Sequence, residues 1–65
     1  MTTDQYRYVM QVLDALLVDD DEEVILEFEP HEIRHHFFDV SEHRKLENLT
    51  NREVDNAIQH WLDKQ

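Results

Sequence analysis

Cysteine and glycine are both absent from this chain, and proline occurs once, as Pro30. Without cysteine, disulfide bonds and thiolate metal sites are excluded. Without glycine, turns that need a positive φ must use asparagine or aspartate, and the common Asn-Gly or Asp-Gly hairpin is impossible. These absences favour a helical fold whose connections are open rather than tight.

Long apolar runs are absent as well, since none approaches the roughly 20 residues that a membrane helix needs. The opening residues, Met1–Asp4, are polar and acidic, unlike a secretory signal. An acidic chain is also repelled by anionic membrane surfaces. We therefore expect a cytoplasmic protein with a single domain, residues 1–65, and no membrane partner.

The small size of the domain limits how it can be stabilised. A domain of 65 residues buries only about 60% of its unfolded-chain surface, so burial and chain entropy nearly cancel. Disulfides are excluded, which leaves well-packed helices, a histidine and carboxylate metal site, or a second copy of the chain. A homodimer is therefore one of the expected partners.

Basic residues are scarce in the first half of the chain. Residues 1–32 contain ten carboxylates and one cation, Arg7, whereas residues 33–65 contain six carboxylates and five cations. Nearly all of the net charge of −10 therefore lies in the first half, which includes five consecutive acids at Asp19–Glu23. A field of this sign attracts basic protein surfaces and repels phosphate backbones.

Apolar residues recur at steps of three and four over roughly residues 3–18 and 51–63, which predicts two amphipathic helices. Thr2 or Thr3 can cap the first helix, and Thr50 with Glu53 forms a capping box that opens the last one. The predicted buried stripes consist of Tyr6, Val9, Met10, Leu13, Leu16 and Leu17 in the first helix and of Val54, Ala57, Ile58, Trp61 and Leu62 in the last.

Between these helices the pattern predicts a short strand or extended segment and a short helix. Val24–Phe28 is rich in β-branched residues and partly alternating, so it either packs on the core or pairs with the same segment of a second copy. Pro30 opens a helix over roughly 30–38 with Ile33 and Phe37 as its core pair. Ser41 can cap a further turn that runs through Leu46. The predicted fold is mainly α: a small three-helix domain with one short extended segment.

This order of elements resembles the opening part of a winged-helix or helix-turn-helix module. His31–Phe38 would be the first helix of the pair and Thr50–Leu62 the recognition-type helix. The chain departs from that pattern because no wing hairpin follows and the linker Asp39–Leu49 exceeds the about 3–4 residues of a standard turn. The resemblance implies a transcriptional regulator that binds DNA through Thr50–Leu62. The side chains suited to such contacts are Asn51, Arg52, Asn56 and Gln59, with Arg34, Arg44 and Lys45 nearby.

The five residues His31–His35 spell H-E-x-x-H, the zinc-binding motif of metalloproteases. The motif falls at the start of a helix, directly after Pro30, and no glycine or histidine follows at the spacing that those enzymes use. We therefore expect no enzyme and no cofactor. A non-catalytic metal site is an alternative, with His31 and His35 as ligands and a third ligand from Asp39, Glu42 or His43.

The function that these patterns favour is a small acidic regulatory module that docks on a basic surface, most naturally that of a nucleic-acid-binding protein. Its carboxylates would imitate the phosphate array of a nucleic acid and compete for the same site. A DNA-binding regulator and a histidine/carboxylate metal protein are the two alternatives, and an acidic balance can also serve solubility alone. The predicted partner-binding residues are Asp14, Asp19, Asp20, Asp21, Glu22, Glu23, Glu27 and Glu29.

Overall fold

The computed structural model describes residues 1–19, 22–40 and 42–65, with Glu22 described by its backbone alone. Over these residues the chain is mainly helical, as predicted. The radius of gyration is 10.9 Å, close to the about 11 Å expected of a folded domain of this length. The elements in order are α1 (Thr3–Asp19), α2 (Glu22–Glu27), α3 (Pro30–Phe37), a 3₁₀ turn (Arg44–Leu46) and α4 (Asn51–Asp63).

Side-chain capping contacts open three of these helices. At α1, the Gln5 N–H donates to Thr2 Oγ1 over 3.2 Å, and the Thr2 N–H donates to Gln5 Oε1 over 2.9 Å. At α4, the Glu53 N–H donates to Thr50 Oγ1 over 3.2 Å, which confirms Thr50 as the cap. The Glu53 carboxylate accepts from the Thr50 hydroxyl over 3.4 Å, whereas the predicted capping box has it accept from the Thr50 backbone N–H. At α3, Glu29 and Glu32 form the equivalent box, which the sequence reasoning did not predict. Each cap satisfies backbone donors that have no partner within the helix.

The core lies where α1 and α3 both pack on α4. The predicted stripes face it: Val9 and Leu13 of α1 are fully buried, and Tyr6, Met10, Leu16 and Leu17 are partly buried against them. Of the predicted α3 pair, Ile33 is fully buried, but Phe37 is only partly so. The buried core residues are Val9, Leu13, Ile25, Ile33, Phe38, Leu46, Val54, Ala57, Ile58 and Trp61.

Phe38 takes the core position that the sequence pattern had given to Phe37. The helix α3 ends at Phe37, and Phe38 follows in an extended conformation with φ −129° and ψ 123°. Within a helix, consecutive side chains differ by about 100° in direction around the axis. Phe38 lies outside the helix, so this rotation does not fix its direction and its side chain can face the core. Periodicity alone could not locate this change of direction.

The prediction of a strand or extended segment at Val24–Phe28 is wrong, because residues Glu22–Glu27 form the helix α2. A lone strand would leave its backbone groups without partners, whereas a helix pairs them within the segment. Ile25 is the buried residue of α2, and the Phe28 N–H donates to the Ile25 carbonyl over 3.2 Å. Pairing of this segment as a strand across a dimer is therefore also wrong.

The linker before α4 contains the predicted turn, formed as the 3₁₀ turn Arg44–Leu46. Leu46 is fully buried, so its side chain packs the linker against the core. Asn48 has φ 71°, so asparagine supplies the positive φ that glycine usually provides, as the composition predicted. The proposed cap, Ser41, lies outside the described residues.

Candidate protein-interaction surface

The predicted partner-binding acids fall on the end of α1, on α2 and on the residues leading to α3. We call residues 14–29 the acidic segment. Asp14, Asp19, Glu23, Glu27 and Glu29 are all exposed, and α1 packs on α2. Asp20, Asp21 and the side chain of Glu22 lie outside the described part of the chain.

Asp14 has a structural role that the sequence reasoning did not predict. Its Oδ1 accepts a hydrogen bond from the indole N–H of Trp61 over 2.9 Å. Trp61 is buried, and a buried indole needs an acceptor for its single donor. The bond links α1 to α4 across 47 positions of sequence. Because the donor is neutral, the bond leaves the negative charge of Asp14 in place.

Glu29 also has internal contacts, since it caps α3 and its Oε2 lies 3.4 Å from Nδ1 of His31. Imidazole carries a charge only when it is protonated. The contact therefore offsets the negative charge of Glu29 only in the protonated state of His31. Both groups are largely exposed to solvent.

Two acids of α4, beyond the acidic segment, form ion pairs with cations. Arg34 Nε donates to Asp55 Oδ1 over 2.6 Å and joins α3 to α4. The terminal ammonium of Met1 lies 3.4 Å from Glu53 Oε2. These two pairs use carboxylates of α4 and none of the acids at positions 14–29.

The helix α4 displays some of the groups that a DNA-reading helix needs. Asn51, Arg52, Asn56 and Gln59 are exposed, although Gln59 Nε2 donates to Asp63 Oδ1 over 2.8 Å. Arg34, which was expected to support a nucleic-acid face, is instead held by the Asp55 carboxylate.

The predicted metal ligands are not brought together as expected. Among the described residues, the potential ligand atoms found within 4.8 Å of one another belong to Glu29, His31 and Glu32. His43 Nδ1 lies 3.1 Å from the Tyr8 hydroxyl, and the ring of His35 packs against that of His36. The two glutamates meet because they cap α3, so their closeness has a structural cause.

An open groove of about 460 Å³ lies between α1 and the 3₁₀ turn. Tyr8 is part of its wall, and Lys45 Nζ lies 4.9 Å from the centre of the Tyr8 ring. Arg7 and Lys45 contribute positive charge to the groove and Asp4 contributes negative charge. The residues that line it are Asp4, Gln5, Arg7, Tyr8, Gln11 and Lys45.

The outer surface of α2 carries a feature that the sequence reasoning missed. Val24 and Leu26 are 48% and 38% exposed, although Ile25 between them is only 1% exposed. Three consecutive aliphatic residues cannot all face the core from one helix, because neighbours differ by about 100° in direction. That signal was available in the sequence, had the segment been recognised as helical.

Comparison of the chain with protein-family models, curated proteins and solved structures gives no match. No helix within residues 1–19, 22–40 and 42–65 has the length and apolar character that crossing a bilayer requires. A function for the chain is therefore inferred from its own contacts, exposure and charge.

Proposed function

We propose that this protein is a small acidic regulatory module that docks on a basic protein surface. The natural target is a nucleic-acid-binding protein, whose nucleic acid it would exclude by competition. The observation that carries this proposal is the exposure of Asp14, Asp19, Glu27 and Glu29 in the acidic segment. The Arg34–Asp55 and Met1–Glu53 pairs involve none of them.

Electrostatics gives such a surface two properties. Like-signed carboxylates on adjacent helices add their fields and steer a cationic partner during encounter. Salt screens this attraction, since the Debye length is about 8 Å at physiological ionic strength. A carboxylate array also offers a basic groove the same sign of charge as a phosphate backbone, so the module and nucleic acid would compete for that groove.

The test compares two charge-reversal variants of equal net charge. One carries Asp19→Lys, Glu23→Lys and Glu27→Lys in the acidic segment. The matched control carries Glu42→Lys, Glu47→Lys and Asp63→Lys, which are exposed acids elsewhere on the chain. Each set makes the net charge of −10 less negative by the same amount, so only the position of the change differs.

The partner is first captured from host lysate with the unmodified chain, purified, and titrated calorimetrically at several salt concentrations. We expect the first variant to lose most of its affinity and its salt dependence, and the control to lose much less. Displacement of nucleic acid from the partner by the unmodified chain is the functional readout. Equal affinity of the first variant and the unmodified chain would sink the proposal.

DNA binding through α4 is the second candidate, favoured by the exposed Asn51, Arg52, Asn56 and Gln59. It predicts retardation of DNA at low salt that weakens steeply as salt rises and on Arg52→Ala. The paired state of Arg34 and the net charge of −10 favour the first candidate.

Metal binding is the third candidate, now centred on Glu29, His31 and Glu32 rather than on His31 and His35. Equilibrium dialysis with Zn²⁺ tests it. Specific binding must disappear with His31→Ala and persist with His35→Ala.

A further inference from the structure

The arrangement of α2 places aliphatic and acidic side chains side by side in solvent. With Ile25 directed into the core, Glu23 and Glu27 point outward, about 160° away around the helix axis. Val24 and Leu26 lie between these two directions, about 100° to either side of Ile25. The exposed half of α2 therefore has two glutamates at its crest and one partly exposed aliphatic residue on each flank.

The exposed aliphatic groups distinguish this surface from one that serves only solubility. Val24 and Leu26 stay partly exposed to water, so the domain lacks the stabilisation that their full burial would provide. Exposed aliphatic side chains beside charged ones offer a protein partner apolar contact area, while the charges set specificity. A phosphate backbone has the same sign as Glu23 and Glu27 and offers the two aliphatic side chains no apolar counterpart.

We propose that α2 is the contact element of this protein, and that it binds a basic protein segment whose aliphatic side chains are flanked by lysine or arginine. This inference rests on the proposed function and narrows its partner. Charge complementarity identifies the occupant: Glu23 and Glu27 face the partner's cations, and Val24 and Leu26 contact its aliphatic groups. A second copy fits this surface poorly, because each chain carries a net charge of −10 and the same two glutamates would meet.

Two synthetic peptides probe this surface. Both are helical and carry the same number of lysines; one has leucines between them, and the other has serines at those positions. Calorimetry at low salt measures the affinity of the chain for each. We expect the leucine peptide to bind about tenfold more tightly, which corresponds to about 1.4 kcal/mol.

The variant Val24→Ala/Leu26→Ala removes the aliphatic contacts and keeps every charge. Alanine has the higher helix propensity, so α2 is expected to persist. This variant should lose the preference for the leucine peptide and bind the serine peptide as the unmodified chain does. The matched control is Val18→Ala, which truncates a side chain that is 84% exposed on α1 and should retain the preference.

The outcomes separate this inference from the proposed function. If Glu23→Lys/Glu27→Lys leaves the affinity for both peptides unchanged, α2 is not the contact element. If the triple variant Asp19→Lys/Glu23→Lys/Glu27→Lys also leaves it unchanged, the acidic docking function itself fails. If Glu23→Lys/Glu27→Lys loses both peptides but the unmodified chain binds them equally, only the role of Val24 and Leu26 is refuted. The role of α2 is also refuted if Val18→Ala loses the preference as fully as the α2 variant, or if sedimentation shows a homodimer that Val24→Ala/Leu26→Ala dissociates.

Discussion

The acidic segment and α4 contain similar acidic side chains in different surroundings. In α4, the Asp55 carboxylate binds Arg34 of α3, and the Glu53 carboxylate lies by the terminal ammonium of Met1 and accepts from the Thr50 hydroxyl. In the acidic segment, Asp19 and Glu27 are directed into solvent. A count of charges does not separate these roles, because what matters is whether a cation on a neighbouring helix lies within reach.

The helices α4 and α2 also differ in how many of their apolar residues are buried. The apolar residues of α4 follow the helical period, so Val54, Ile58 and Trp61 are all buried on one face. The aliphatic run of α2 does not follow that period, so Ile25 alone is buried there. The apolar residues of α4 therefore contribute mainly to packing, whereas those of α2 are largely exposed, and four predictions test that difference.

The largest expected effect separates Ile58→Ala from Ile25→Ala, two truncations of fully buried isoleucines. Loss of Ile58 should cost about 2–5 kcal/mol, comparable with the about 3–5 kcal/mol that a core of this size supplies. We expect the domain to be largely unfolded. Loss of Ile25 should cost only about 1–2 kcal/mol, since a short peripheral helix can open locally.

Thermal unfolding followed by circular dichroism measures both variants, and amide hydrogen exchange identifies opening confined to α2. The milder variant Ile58→Val keeps the comparison measurable if Ile58→Ala does not fold. Equal destabilisation by the two alanine variants would show that α2 is part of the cooperative core.

The next effect concerns the ion pair between α3 and α4. Asp55→Ala leaves the partly buried Arg34 guanidinium without its carboxylate, so we expect a loss of about 1 kcal/mol in the free energy of unfolding. Glu27→Ala, in the acidic segment, should change stability by no more than a few tenths of a kcal/mol. Urea denaturation measures both. A larger loss for Glu27→Ala than for Asp55→Ala would contradict the proposed division of roles.

Asp14 is an exception within the acidic segment, because its carboxylate accepts from Trp61. Asp14→Ala should cost about 1 kcal/mol, since the indole donor loses its acceptor. Asp14→Asn keeps an acceptor oxygen and should cost much less. Urea denaturation of this pair of variants separates the hydrogen bond from the charge, and equal losses would mean that the charge itself matters.

The smallest effect is a dependence of stability on salt. Repulsion within the acidic segment should be screened by added salt, which raises the free energy of unfolding by a fraction of a kcal/mol. The variant with Asp19→Lys, Glu23→Lys and Glu27→Lys should show less of this gain than the matched control with Glu42→Lys, Glu47→Lys and Asp63→Lys. Identical salt responses would indicate that the repulsion is spread over the whole chain.

Local signals predicted much of this fold. Thr50 and Glu53 marked the start of α4, and the steps between Val9 and Leu13 marked the buried face of α1. The strand prediction failed at α2 because β-branched composition was given more weight than the lack of a pairing strand. Contacts such as Arg34–Asp55 and Asp14–Trp61 join residues 21 and 47 positions apart. No pattern within a single helix specifies them, because they depend on how the helices pack.

Trp61 is the only tryptophan in the chain, and its indole is buried where α1 meets α4. Its intrinsic emission is therefore an optical reporter of the docking of these two helices, without any added label. The helix α2 contains no aromatic residue, so its detachment would change that emission little. Unfolding that begins at α2 should consequently appear in backbone signals before it appears in the light that Trp61 emits.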